Sequence, residues 1–258
     1  MYTYDPQQKC YRGWWFGSDG QVSEASGQWD ADTKTLKWTF VASDGKDFTR
    51  IHRHRFVNDN KFEAISKTKD SLGKVLSQIE VKGTRAEDSE KREYTSSIKP
   101  ESTKEPTTSS LEQKVLDRFI GTWQTNYKLD KAEWTPVETT GTAEFTYRRV
   151  LGGNFVQEQV GPADNLNYLT MHTYDIQQKC YRSWGFSYEG RSIEYTGQWN
   201  ADTNTISWKS IGQDFTTTAR HHFVNDNQYE LFGTTKDSQG KVLFKMKMEA
   251  TRTEELKQ

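Results

Sequence analysis

From residue 121 onward apolar and polar side chains alternate. Trp123, Thr125 and Tyr127 share one side of a two-residue period, and Gly141-Thr142-Ala143-Glu144-Phe145-Thr146-Tyr147-Arg148 continues it. Alternation of this kind marks a half-buried strand, whose successive side chains leave on opposite faces. Turn-forming clusters then recur at short intervals, among them Leu151-Gly152-Gly153-Asn154, Tyr188-Glu189-Gly190, Asn200-Ala201-Asp202, Asn225-Asp226-Asn227 and Asp237-Ser238-Gln239-Gly240. The spacing predicts an all-β unit, an antiparallel meander of about eight to ten strands. Closure into a lipocalin-like or calycin-like barrel is favoured over an open sheet, because it removes the exposed edges of a ring-rich sheet. Ahead of the strands, Ser109-Ser110-Leu111-Glu112 reads as a capping box. Leu111, Val115, Leu116, Phe119 and Ile120 recur at helical spacing, which predicts a short amphipathic helix at one barrel end.

The pattern occurs nearly twice. Residues 1–40 align with 171–210 and 48–85 with 215–252, with roughly half the positions identical. Tyr4-Asp5-x-Gln7-Gln8-Lys9-Cys10-Tyr11-Arg12 matches Tyr174-Asp175-x-Gln177-Gln178-Lys179-Cys180-Tyr181-Arg182, and Phe56-Val57-Asn58-Asp59-Asn60 matches Phe223-Val224-Asn225-Asp226-Asn227. Three regions follow: an incomplete repeat over 1–85, a complete one over 109–258, and between them 86–108, a Ser/Thr/Pro/Lys/Glu mixture expected to be a disordered linker. The first copy begins at Met1, the equivalent of Met171, so it lacks the counterpart of 109–170. A start assigned at an internal Met is the simplest account. The compartment is then cytoplasmic on the sequence as given and exported if a signal peptide lies upstream. A sheet missing its front strands is expected to be open, and its free edge invites self-association.

Composition adjusts this picture. Hydrophobic residues make up only 33%, but aromatics reach 13%, with nine Trp, twelve Tyr and thirteen Phe, so the cores must be built on rings. Thirty-five Lys and Arg oppose thirty-six Asp and Glu for a net charge of -1, which supplies no field for nucleic acid. No apolar run approaches the roughly 20 residues of a membrane-spanning helix. Cys10 and Cys180 contribute one thiol per copy, so no disulfide can form within a unit.

Phe119-x-Gly121-x-Trp123, Thr140-Gly141-Thr142, Leu151-Gly152-Gly153-x-Phe155, Tyr174-Asp175 with Lys179 and Trp184, and Gly197 with Ala201-x-Thr203-x-Thr205 together resemble the bacterial family known as domain of unknown function 1579. The resemblance covers 112–253 and, without its front part, 1–85. It implies a lipocalin-like barrel and brings no catalytic residues with it. The chain departs from the family pattern at Thr173, where a Gly is expected. The Gly-x-Trp after a short helix is also similar, at the level of fold, to lipocalins and haem-binding nitrobindins.

Four functions stay open on the residues. The first is a binding module for a small hydrophobic or planar ligand, with Tyr147, Trp184 and Trp199 lining its pocket; the same rings equally make an ordinary core. The second is a haem or other tetrapyrrole site ligated by His221, repeated as His54, which would share a face with Phe215, Ala219 and Phe223; a hydrogen-bonded core histidine is the bland alternative. The third is an enzyme whose barrel mouth carries Glu158, Arg220 and His221. Gln157-Glu158-Gln159 lies in a strand and must bury a polar group, which an Arg such as Arg148, Arg149 or Arg220 would also satisfy. The fourth is a structural or interaction protein without ligand. Zinc-ligand spacing, Walker loops and nucleophile elbows are missing from the sequence, and His52 and His54, two apart on a strand, have no paired counterpart in the second copy.

Overall fold

The computed structural model describes residues 1–6, 8–40, 48–85, 111–161, 167–211 and 214–254. Two compact units result and are described separately. The proposed linker over 86–108 and the Ser109-Ser110 part of the capping box lie outside the described residues.

The first unit is a seven-stranded antiparallel sheet in sequence order: β1 (Tyr2–Asp5), β2 (Cys10–Phe16), β3 (Val22–Asp30), β4 (Thr35–Phe40), β5 (Phe48–Asn58), β6 (Lys61–Asp70) and β7 (Val75–Thr84). Among the described residues β1 and β7 are its edges, and β7 is exposed along nearly its whole length. The second unit opens with α1 (Leu111–Asp117), followed by β8 (Gly121–Leu129), β9 (Thr139–Val150), β10 (Phe155–Val160), β11 (Tyr168–Asp175), β12 (Cys180–Ser187), β13 (Ser192–Asn200), β14 (Thr205–Ile211), β15 (Phe215–Asn225), β16 (Gln228–Asp237) and β17 (Val242–Glu254). Each strand pairs with its successor, and β17 pairs back onto β8, so ten strands close into an antiparallel, lipocalin-like barrel.

The repeat is structural as well as sequential. β1–β7 follow the order of β11–β17, and both bulges recur in place: Phe56/Asn58 matches Phe223/Asn225, and Thr68/Lys69 matches Thr235/Lys236. The turn residues Lys9 and Lys179 both take a positive φ of 51°. Among the described residues, strands corresponding to β8–β10 occur in the barrel alone.

Helix α1 ends at Asp117, and Phe119 and Ile120 follow in a tight turn held by N–H donation to Leu116 and Asp117 carbonyls. Leu111 is exposed rather than on the packed face, whereas Leu116 and Phe119 are buried at the barrel end. The Phe-x-Gly-x-Trp motif acquires a reason here. Gly121 sits at φ 129°, a backbone region that L side chains rarely adopt, where the chain leaves the turn and enters β8. Trp123, two residues on, is fully buried and donates its indole N–H to the Phe119 carbonyl at 2.6 Å. Arg252 lies over the Trp123 ring at 4.3 Å and donates to the carbonyls of Arg118 and Ile120. Arg149 fastens the helix from the other side, donating to the Asp117 carboxylate at 2.7 Å and to the Gln113 carbonyl at 2.9 Å.

Glycines opposite tryptophans are the second recurring device. Gly197 pairs with Trp208, and a Cβ at Gly197 would lie 2.5 Å from the indole; Gly27 and Trp38 repeat the arrangement at 2.8 Å. Gly197→Ala is therefore expected to destabilise the barrel by about 1–3 kcal/mol through overpacking. Thermal unfolding of the full chain checks this, and an unchanged midpoint for the barrel would show that the indole has room to move.

Candidate functional site

Cross-strand partners share a face of the sheet, so the registers sort the barrel's side chains into inward and outward sets. Glu158 is opposite Tyr147 and Thr170, and this row faces inward with His172. His221 is opposite Ile206 and Leu231, also inward. At the helix end the interior is packed solid: Leu116, Phe119, Trp123, Tyr147, Val156, Ile206, Phe223 and Tyr229 are all buried. Toward the opposite end the inward-facing Tyr127, Val160, Tyr168, Tyr195, Thr217 and Ala219 each remain partly exposed. Burial thus falls off along the barrel, from a fully buried ring cluster at the helix end to phenols, small side chains and Val160 that keep some exposure.

Glu158 lies where burial falls off. Its side chain is 14% exposed, and its Oε2 is 3.0 Å from Nε2 of His172, itself 8% exposed. Burial pushes this carboxyl up, but the His172 hydrogen bond and charge, with contributions from His221 and a hydrogen bond from Thr170, hold it below the usual range, so it is ionised. Tyr147 is pushed far above the ordinary phenol by burial, the Glu158 charge and Tyr229. Its hydroxyl lies 3.4 Å from that of Tyr229. Burial and the same carboxylate raise Tyr195 to about 12, and burial, Tyr195 and Glu158 raise Tyr168. The result is one carboxylate among phenols that all keep their protons.

The two interior histidines differ. His172 stacks on Phe119 with rings 3° from parallel, and its Nδ1 is buried without a hydrogen-bond partner. His221 accepts the Trp208 indole N–H at Nδ1, 3.2 Å away, and burial drives its pKa down to about 4, so it is neutral near pH 7. A neutral imidazole whose Nδ1 accepts carries its proton on Nε2. That nitrogen then has no lone pair for iron, and moving the proton to Nδ1 would set it against the indole N–H. The residues therefore do not fit a haem ligated by His221. In the first unit, His54 Nε2 instead faces His52 Nε2 at 2.6 Å; among the described residues no group of three or more potential metal ligands gathers there or elsewhere.

Of the residues singled out in the sequence, the structure brings Glu158, Tyr147 and His221 to one interior. Arg220 is excluded from it: as the strand neighbour of His221 it points outward, its guanidinium 5.3 Å from the Phe232 ring. A trio of Glu158, Arg220 and His221 is therefore not assembled. Trp184 pairs with Met171 on the outer face, beneath Arg182, while Trp199 faces inward at the helix end against Phe223 and Arg118. His172 is the site residue that sequence reasoning missed. Thr173, where the family pattern expects Gly, is buried and donates its hydroxyl to the Asn154 carbonyl at 2.8 Å.

A closed antiparallel barrel, plugged by a helix at one end and holding a carboxylate–imidazole pair where burial falls off, places the second unit among lipocalin-like barrels. The family described as "Protein of unknown function (DUF1579)" matches residues 108–252, more than half of the sequence, and the chain belongs to it. No curated protein matches the chain. Among solved structures, an S-type phycobiliprotein lyase, CPES, from Guillardia theta is 11% identical, with 58% of this chain and 95% of that one covered at a TM-score of 0.40. A DUF3598 protein of unknown function from Nostoc punctiforme is 7% identical over 92% of each chain at 0.38. A redesigned β-barrel is 14% identical over 54% and 96% at 0.27. At these scores none of the likenesses bears on function.

Proposed function

We propose that the barrel of residues 111–254 is a binding module for a small ligand with an apolar or planar body, held in the half of the interior that the helix does not fill. The observation that carries this reading is the change in burial along the barrel. The ring cluster at the helix end is buried, whereas beyond Glu158 the inward-facing Tyr127, Val160, Tyr168, Tyr195, Thr217 and Ala219 keep some exposure, and a mostly apolar barrel interior with few polar groups is the usual make-up of a ligand site.

A neutral fluorescent probe, N-phenyl-1-naphthylamine, tests it. The full chain is expected to bind the probe saturably, one per chain, with energy transfer from tryptophan. Ala219 faces inward opposite Trp208 and Gly233, so Ala219→Trp fills the space and is expected to weaken binding at least about ten-fold, or about 1.4 kcal/mol. Unsaturable binding, or binding that Ala219→Trp leaves intact, would refute an interior site.

A further inference from the structure

Glu158 raises a question of charge. Strand parity puts Arg148 and Arg220 outside, where Arg148 donates to Gln157 and Arg220 lies over Phe232. Arg149 and Arg252 do turn toward the barrel, but at the helix end, where they hold Asp117 and the carbonyls of Gln113, Arg118 and Ile120. Among the described residues no lysine or arginine is paired with Glu158. Its hydrogen-bond partners are His172, 3.0 Å away, and the hydroxyls of Tyr147 and Thr170, and of these the imidazole alone can carry a positive charge. A carboxylate removed from water is costly unless paired, and an imidazole supplies a full counter-charge only while it carries its second proton.

We propose that the ligand is an organic cation, a protonated or quaternary amine on an apolar body, whose nitrogen sits against Glu158 among the inward-facing phenols. This rests on the interior binding site proposed above and specifies its ligand. The surroundings suit a cation on two counts. A positive nitrogen gives Glu158 the permanently charged partner that no lysine or arginine among the described residues provides. The phenols of Tyr147, Tyr168, Tyr195 and Tyr229 lie close enough for the same carboxylate to raise each of them, and aromatic rings attract cations through their quadrupoles. An anion of the same shape would face Glu158 as a like charge in a poorly hydrated space. A neutral ligand would leave the carboxylate as it is.

Three probes sharing one ring system separate these cases: 2-naphthylmethylammonium, 2-naphthylmethanol and 2-naphthoate, titrated calorimetrically into the full chain at pH 7. The ammonium is expected to bind about ten-fold more tightly than the alcohol, with the carboxylate weakest. Glu158→Gln keeps an acceptor for His172 and is expected to bring ammonium and alcohol within about three-fold of each other, while Glu158→Asp, which keeps the charge, retains part of the preference. Circular dichroism and the thermal midpoint show whether each variant is folded. Equal binding of ammonium and alcohol by the wild type overturns the cation and leaves the interior site standing. A preference that survives Glu158→Gln overturns it as well. Failure of all three probes to bind overturns the interior site and the cation together.

Discussion

Replacing Trp123 by alanine is expected to cost the barrel about 4 kcal/mol, the upper range for truncating a buried ring. The ring is fully buried against Tyr229, with centroids 4.8 Å apart, and lies beneath the Arg252 guanidinium. Truncation opens a void between helix and strands, and it leaves the Phe119 carbonyl without the indole N–H at the point where the chain turns into β8. Trp123→Phe separates the two contributions, since it keeps most of the packing and loses the hydrogen bond; about 1–2 kcal/mol is expected there. Urea unfolding followed by fluorescence and circular dichroism measures both, with the two units allowed separate transitions. A loss below about 2 kcal/mol for Trp123→Ala would mean that the helix end collapses onto the void and is less rigid than its burial implies.

The second large effect is an acid limb of stability centred on His221. Its ordinary value of 6.5 applies to the unfolded chain, and burial lowers it to about 4 in the barrel. Between these values the unfolded state holds a proton that the folded state refuses. Stability must therefore fall as pH drops from 6.5 to 4, by up to about 1.4 kcal/mol per pH unit and about 2–3 kcal/mol in all. Glu158 acts in the same direction at lower pH: its carboxyl is held below the usual range in the fold, so the stability it contributes is present above its unfolded value and lost as pH falls through its folded one. His221→Gln removes the titration and keeps an acceptor for the Trp208 indole. Denaturation midpoints at pH 7, 5.5 and 4.5 are expected to drop less steeply in the variant than in the wild type. An equally steep drop in both would place the acid sensitivity elsewhere.

The strands, their order and the turn after each could be read because alternation and turn residues are local properties. Side-chain direction was harder wherever both faces of a strand are apolar. β12 runs Tyr181-Arg182-Ser183-Trp184-Gly185-Phe186, with rings on both parities, so the pattern cannot show that Trp184 leaves outward while Tyr181 turns in. β11 is buried on both faces from Leu169 to Thr173, which hid His172 inside what looks like continuous core. Arg220 was the opposite case, since parity alone separates it from His221. The need for a buried polar group at 157–159 was legible; its partner was not, because the Glu158–His172 contact depends on the β10–β11 register rather than on composition. The hydrogen bond that fixes the His221 tautomer comes from Trp208, on the neighbouring strand β14.

Two copies of one strand set in a single polypeptide bear on how the chain finds its native pairing. Closing the barrel joins β8 to β17 across more than a hundred residues, a contact that forms late in folding. Until then β7, with the same Val-Leu start, the same preceding turn and an outer edge still unpaired, is a rival for β8. Hydrogen bonding cannot choose between them, because the two backbones offer equivalent ladders. Side-chain volume can. Where β17 presents Met246 and Met248 to the interior, β7 has Ile79 and Val81 at the equivalent positions. Paired with β7, Tyr127 would meet Val81 backed by Ala64, where β17 offers Met248 backed by Leu231, and the void would cost on the order of 1 kcal/mol for each missing methylene. Fidelity between the repeats is thus set by bulk at a few inward positions, and mispairing between tandem copies is the characteristic hazard of such chains.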